Sequence, residues 1–338
     1  MNGTIKESLL YEPLRNGKVR CGVCERRCLI ELDKLGWCRT RKNIEGKLYT
    51  LVYGDLSSIE SRPIEIKPFF HFYPGSTALT FSTWSCNFYC KWCQNYHISK
   101  TYPEPKHANY VSPERIINMA LKNNDNGLCV SFNEPTMLFE YSLDVFKLGK
   151  EKKLYTTYVS NGYFTLDALK MLKDAGIDGI KIDVKGNKYV YEKYCGGVRE
   201  DFVWRNARKA KEMGIHIEIV HLVVSELNDN ERLILEIIDR HLKELGEKTP
   251  LHFTRYFPSF EYHAEPTKTE ILEFAVENAK KAGILYAYTG NIPGHKYENT
   301  YCHNCNKLLI ERRGYRIKEY NLKGRNCPNC KVEIPIVV

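Results

Sequence analysis

The 338-residue sequence has no apolar run long enough to span a membrane, and its first residues, MNGTIKESLL, lack a secretory signal pattern. The expected location is therefore cytoplasmic, with no membrane partner. Isolated cysteines are scarce: of thirteen, only Cys129 and Cys195 stand alone. Short clustered spacings without an export signal argue against a disulfide-rich secreted protein and for metal sites. Also missing is an RNP-like aromatic motif or a nameable nucleic-acid recognition helix. A metal-bound nucleic-acid-binding protein thus rests on charge alone. Residues 1–50 hold 11 Lys/Arg against 6 Asp/Glu, and residues 301–338 hold 8 against 3, within a net charge of +9. Solvated basic surfaces beside thiolate clusters explain that asymmetry more simply. Hydrophobic content of 43% suits a globular protein, and the length implies one large core with appended modules.

What is present centres on FSTWSCNFYCKWCQN, residues 81–95. Cys86, Cys90 and Cys93 form a C-x3-C-x2-C motif with Trp92 just before the last thiol. Upstream, TALTFST reads as a strand, so the three thiols leave a strand end on one short loop. Three thiolates suit three irons of a four-iron cluster, leaving the fourth iron open. The rival is a zinc site, for which His97 is the nearby fourth ligand. Spacing, aromatic and strand context favour iron–sulfur.

Two further quartets flank this motif. CGVCERRC and GWCRTRKN place Cys21, Cys24, Cys28 and Cys38 at C-x2-C-x3-C-x9-C. Zinc is the natural occupant of a closed four-thiolate knuckle, with an auxiliary iron–sulfur cluster as rival. Near the other end, Cys302, Cys305, Cys327 and Cys330 form two C-x2-C knuckles around a hairpin-like segment. That is a zinc-ribbon pattern, with rubredoxin-like iron the alternative, and the metal would fold a tail too short for its own core.

Between the quartets, strands alternate with amphipathic helices, giving an α/β fold with a parallel sheet. The expected division is 1–61, an N-terminal four-cysteine metal-binding module; 62–291, the α/β core; and 292–338, a zinc-ribbon-like tail. Helix starts are expected at Ser112-Pro113, at Thr165 and near Asp229, with a Thr267/Glu270 capping box before another helix. Leu166, Leu169 and Leu172 form one expected buried stripe. Cys129 reads as a small core residue. Cys195 reads as either structural or a reactive thiol.

The Cys86–Cys90–Cys93 motif with its aromatic resembles the radical S-adenosylmethionine (SAM) enzymes. That resemblance implies a partial (β/α)6-type TIM barrel, with chemistry at the C-terminal strand ends. It also implies a [4Fe-4S] cluster and SAM, split to a 5′-deoxyadenosyl radical. Candidate cofactor contacts follow: Trp92, then Asn133 and Glu134 where the superfamily receives the SAM ammonium. Ser160-Asn161-Gly162 and Asp183-Val184-Lys185 resemble segments of glycyl-radical-enzyme activases. By that analogy Ser160, Asn161, Asp183 and Lys185 join the set. His221 is a further contact, against the commoner reading of a satisfied buried histidine. End to end, CQNYHIS, FNEPT, SNGY, IDVKG and HFTRYFP resemble the radical SAM member of the AmmeMemoRadiSam system. Glu25-Arg26 departs from the Pro-His of that group. Implied partners are a low-potential electron donor of flavodoxin or ferredoxin type, the associated system proteins, and an unidentified substrate, a protein among the candidates. Activation of a glycyl-radical enzyme is the alternative activity.

Overall fold

The computed structural model describes residues 3–338. It divides into two compact units, Met1–Arg62 with Thr77–Ile180, and Pro63–Ser76 with Lys181–Val338. The class is α/β with a parallel sheet core, as expected.

In the first unit the chain runs β1 (Thr77–Ser82), α1 (Pro113–Lys122), β2 (Gly127–Val130), α2 (Phe139–Glu151), β3 (Tyr155–Ser160) and α3 (Leu166–Asp174). β2 lies between β1 and β3, parallel to both. Phe81 and Tyr158 both pair with Val130, so the three strands end at one level. The Ser112 hydroxyl accepts from Arg115 N and starts α1, with Pro113 next and Ile116, Ile117 and Ala120 turned inward. The Thr165 hydroxyl caps α3 through Ala168 N, as expected. Its buried stripe is Ala168, Leu169 and Leu172, while Leu166 is only half-buried. Cys129 is fully buried in β2.

Two small antiparallel sheets precede β1. Val19–Cys21 pairs with Tyr11–Pro13 and Leu29–Ile30, and Lys47–Thr50 pairs with Lys6–Glu7 and Arg41–Ile44. The cysteine-bearing loop is tied to the segment after β3. Glu25 N donates to Tyr163 O at 2.9 Å, and the Thr165 hydroxyl donates to Gly22 O at 2.7 Å.

β4 (Gly179–Val184) carries the chain into the second unit. There follow α4 (Glu200–Glu212), β5 (His216–Val223), α5 (Glu231–Leu245), β6 (Leu251–Arg255), α6 (Thr269–Lys281) and β7 (Ala287–Gly290). β6 lies parallel between β5 and β7. Lys188–Tyr194, unforeseen, is a short helix capped by the Asn187 side chain. The helix expected near Asp229 forms there as α5, capped by Asn230, whose side chain accepts from Leu233 N. One helix start departs from expectation. The Thr267/Glu270 capping box does not form, because Thr267 is used elsewhere. Its hydroxyl donates to Val223 O and accepts from Tyr256 N, splicing the ends of β5 and β6.

Segment Pro63–Ser76 is held by Glu218 of β5, whose buried carboxylate accepts from Phe70 N, His71 N, His216 and His252. Burial opposes its ionisation, yet the His216 and His252 hydrogen bonds hold its pKa well below the usual carboxylate range. The C-terminal tail shares this unit's core: Cys302, Cys327, Leu309 and Ile336 pack with Phe70, Tyr286 and Tyr288.

Buried polar groups in this unit carry two expectations for stability. Asn228 is fully buried; it accepts from Val224 N and donates to Lys185 O and Leu222 O. Asn228→Ala leaves those backbone groups unpaired and is expected to cost about 2–4 kcal/mol in urea unfolding. His71, His221 and His241 are each pushed down to a pKa of about 4, chiefly by burial. They stay neutral when folded but regain an ordinary value of about 6.5 on unfolding. Their contribution is therefore full above pH ~6.5 and is lost as pH falls towards 4. His241→Gln is expected to reduce proton uptake on unfolding at pH ~5 by about one proton, read from the pH dependence of the unfolding free energy.

Candidate functional site

The loop leaving β1 carries Cys86, Cys90 and Cys93, none of them in a disulfide. Cys90 and Trp92 are buried, while Cys86 and Cys93 are half-buried. Phe88 N donates to Cys86 Sγ at 3.3 Å, and the Ser99 hydroxyl lies 3.0 Å from Cys93 Sγ. Burial pushes the Cys86 and Cys93 thiols up, and the Lys100 ammonium pulls both the other way. A bound cation would supply the remaining charge needed to keep thiolates here.

Two strained residues mark the ends of this loop and of β2. Ser85 and Phe132 both adopt a left-handed φ of 68°, uncommon for side chains of their kind. Each carbonyl is fixed by an asparagine from the other segment. Asn133 Nδ2 donates to Ser85 O at 2.7 Å, and Asn95 Nδ2 donates to Phe132 O at 2.6 Å. The cluster loop and the β2 end are thus braced twice.

Beyond β2, Glu134 is buried and caps the 3-10 turn Pro135–Leu138. Its Oε1 accepts from Thr136 N, the Thr136 hydroxyl and the Ser160 hydroxyl, and its Oε2 accepts from Asn161 N at 2.8 Å. Burial raises its pKa, opposed by those donors. Asn161 Nδ2 donates to Asn87 Oδ1 at 2.7 Å and lies 4.0 Å from Cys86 Sγ. Glu134, Ser160, Asn161 and Cys86 therefore belong to one connected network. Asn133 Oδ1 is buried and has no hydrogen-bond partner, which leaves it as an unclaimed acceptor. Asn87, Asn95, Ser99 and Lys100 escaped the sequence reading; their signal was position within the cysteine loop itself.

In the second unit, Asp183 pairs with Lys181 and lies 3.5 Å from Lys185 Nζ. Burial opposes ionisation of Asp183, but the two ammonium groups hold its pKa down. Lys181 was not singled out, although its spacing of two residues puts it on the face shared by Asp183 and Lys185. His221 is fully buried; its Nδ1 donates to Val184 O at 3.0 Å and its Nε2 has no partner.

The C-terminal quartet is compact. Cys302 and Cys330 Sγ are 3.5 Å apart, Cys305 and Cys327 Sγ 3.6 Å, and all four lie within 4.8 Å of one another. A tetrahedral ion with bonds of about 2.3 Å sets sulfurs about 3.8 Å apart, so the set fits a single ion. The knuckles support each other: the Asn329 side chain lowers the Cys305 pKa to about 6, and Asn304 lowers that of Cys330. Cys21, Cys24, Cys28 and Cys38 line one cavity.

Comparison with known proteins gives this geometry a family. Residues 82–238 match the model of the radical SAM superfamily. The uncharacterized protein MJ0808 of Methanocaldococcus jannaschii is 39% identical over 337 residues, 99% of this chain and all of that protein. The chain belongs to the radical SAM superfamily. MJ1632 of the same organism, provisionally named a glycyl-radical enzyme activating enzyme, is 26% identical over 166 residues. That match takes in 47% of this chain and 60% of that protein. Among solved structures, Streptococcus suis SuiB is 16% identical with a TM-score of 0.48, over 62% of this chain and 48% of that one. Radical SAM membership makes the chain an enzyme class member with a [4Fe-4S] cluster and SAM as cofactors. Among the described residues, no helix is long and apolar enough to cross a membrane.

Substituting one tail thiol tests whether this quartet holds an ion. A Cys327→Ser variant is expected to lose about one metal equivalent per chain. Amide hydrogen exchange across 308–320 should then rise by at least about tenfold before the rest of the protein responds. Unchanged metal content would contradict the assignment of this quartet.

Proposed function

We propose that this radical SAM protein holds its [4Fe-4S] cluster on Cys86, Cys90 and Cys93 and binds SAM at the adjoining β2 end. The observation that carries this reading is the doubly braced cysteine loop beside the unclaimed Asn133 Oδ1. When bound, the cluster and SAM would supply a 5′-deoxyadenosyl radical for hydrogen abstraction from substrate. Asn133 Oδ1 would accept from the SAM ammonium. Glu134, with both oxygens occupied by protein donors, holds the β2 and β3 ends in shape. Ser160 and Asn161 act through that same network, Asn161 reaching the Cys86 side. Lys100 offsets thiolate charge, and Trp92 shields the loop from water. For Asp183, Lys185 and His221 the proposed role is cofactor contact, on resemblance to the activases. The tail quartet is proposed to hold zinc.

The residues CQNYHIS, FNEPT and IDVKG support placement with the radical SAM member of the AmmeMemoRadiSam system. Its partners would include a low-potential donor of flavodoxin or ferredoxin type. Likeness to MJ1632 favours a second reading, activation of a glycyl-radical enzyme. The appearance of a glycyl radical on a companion protein would distinguish it from small-molecule chemistry.

Anaerobic reconstitution, reduction and addition of SAM should yield 5′-deoxyadenosine. A Cys86→Ala, Cys90→Ala, Cys93→Ala variant should yield none. Asn133→Ala is expected to keep the cluster's visible absorption while weakening SAM binding about tenfold or more, the loss of one charge-assisted hydrogen bond. Equal 5′-deoxyadenosine from parent and triple variant would overturn the proposal.

A further inference from the structure

The cysteine loop after β1 faces an open cavity of about 520 Å³. Cys86 lies on its wall together with Ser85 and Ser99, so the cavity reaches the thiols assigned to the cluster. Every lining residue belongs to the first unit. None comes from the ends of β2 or β3, where Asn133, Glu134, Ser160 and Asn161 stand. The cavity thus meets the loop without the residues assigned to SAM.

Its charge has one sign. Lys34, Arg39 and Lys100 line it, and no Asp or Glu does. Two of these cations lie over aromatic rings of the same wall. Arg39 Cζ is 4.2 Å from the Tyr102 ring centroid, and Lys100 Nζ is 4.6 Å from that of Tyr89. Arg26 stacks 3.6 Å over Trp37, the third ring. The stacking does not bury these rings: Trp37, Tyr89 and Tyr102 remain 42%, 37% and 46% exposed. Exposed apolar residues scattered singly need no explanation, but three rings gathered at one cavity do. Aromatic residues and Arg are enriched at protein interfaces. Walls of one charge concentrate a partner of the opposite charge.

A pocket built for a small anion would aim buried polar groups at it. The buried polar atoms without hydrogen-bond partners, such as Asn133 Oδ1 and Arg41 Nη2, belong to residues outside this wall. An exposed, basic and aromatic surface suits a transient protein contact instead. Electron-transfer encounters are of that kind, with interfaces below about 1,200 Å².

We propose that the basic, aromatic cavity over Cys86 is the docking surface of an acidic one-electron carrier protein, a reading that rests on the cluster assignment above. Lys34 and Arg39 meet the carrier's carboxylates, and Trp37, Tyr89 and Tyr102 pack against it. One electron leaves the reduced carrier for the oxidised cluster; no bond forms or breaks, and no proton moves.

The test separates docking from chemistry, with an acidic flavodoxin as the probe. A Lys34→Glu, Arg39→Glu variant is compared with the parent and with Arg316→Glu, Lys318→Glu, which makes the same charge change on the exposed tail hairpin. Oxidised flavodoxin is titrated into each reconstituted protein by calorimetry. The Kd should rise about tenfold in the cavity variant and stay unchanged in the tail variant. For the parent it should also rise about tenfold between about 0.05 and 0.5 M salt. With reduced flavodoxin below saturation, 5′-deoxyadenosine formation by the cavity variant should fall by a similar factor. With dithionite, a small reductant that needs no docking, that variant should match the parent. Equal flavodoxin affinity in parent and cavity variant, equal weakening by the tail variant, or no saturable binding to the parent would each overturn the proposal. Absence of the dithionite-driven reaction in the parent would count against the cluster assignment instead, and the titration would still decide the docking surface.

Discussion

A buried thiolate needs a neighbouring positive charge, and five of this protein's thirteen cysteines show that constraint directly. Burial pushes the Cys21, Cys24, Cys28, Cys86 and Cys93 thiols upward. Arg26, Arg41 and Lys100 oppose the shift only in part. A bound metal ion or cluster would supply the rest. The surrounding architecture serves that end: left-handed Ser85 and Phe132, each pinned by an asparagine from the facing segment, present the loop at the strand ends.

Each unit also contains a buried carboxylate that organises local backbone, solved in contrasting ways. Glu134 is surrounded by neutral donors from Thr136, Ser160 and Asn161, and its pKa is raised. Glu218 receives two histidines as well as backbone N–H groups, and its pKa is lowered. The first holds the ends of β2 and β3 in shape. The second is a permanent internal tie that secures residues 63–76.

Much of the fold was legible because its elements have local causes. Ser112 and Thr165 cap helices where the sequence pattern places them, and the apolar runs became parallel strands. Thr267 shows where locality fails. Its position relative to Glu270 fits a capping box, but its hydroxyl bridges Val223 O and Tyr256 N, contacts made only when distant strands meet. The helix read from about Asp229 does start there, and only its exact cap, Asn230 accepting from Leu233 N, came from the structure.

The cysteine spacings by themselves determined that there are three thiol groups and which residues compose each, because ligands on one short loop must converge. They could not separate one ion from a cluster, since ligand type is the same for both. Only the tertiary structure decided that the C-terminal sulfurs close to within 4.8 Å of one another, and that Arg26 reaches both Asn87 and the thiols of two groups. The Arg26 contact joins chain segments about sixty residues apart, and no local pattern encodes it.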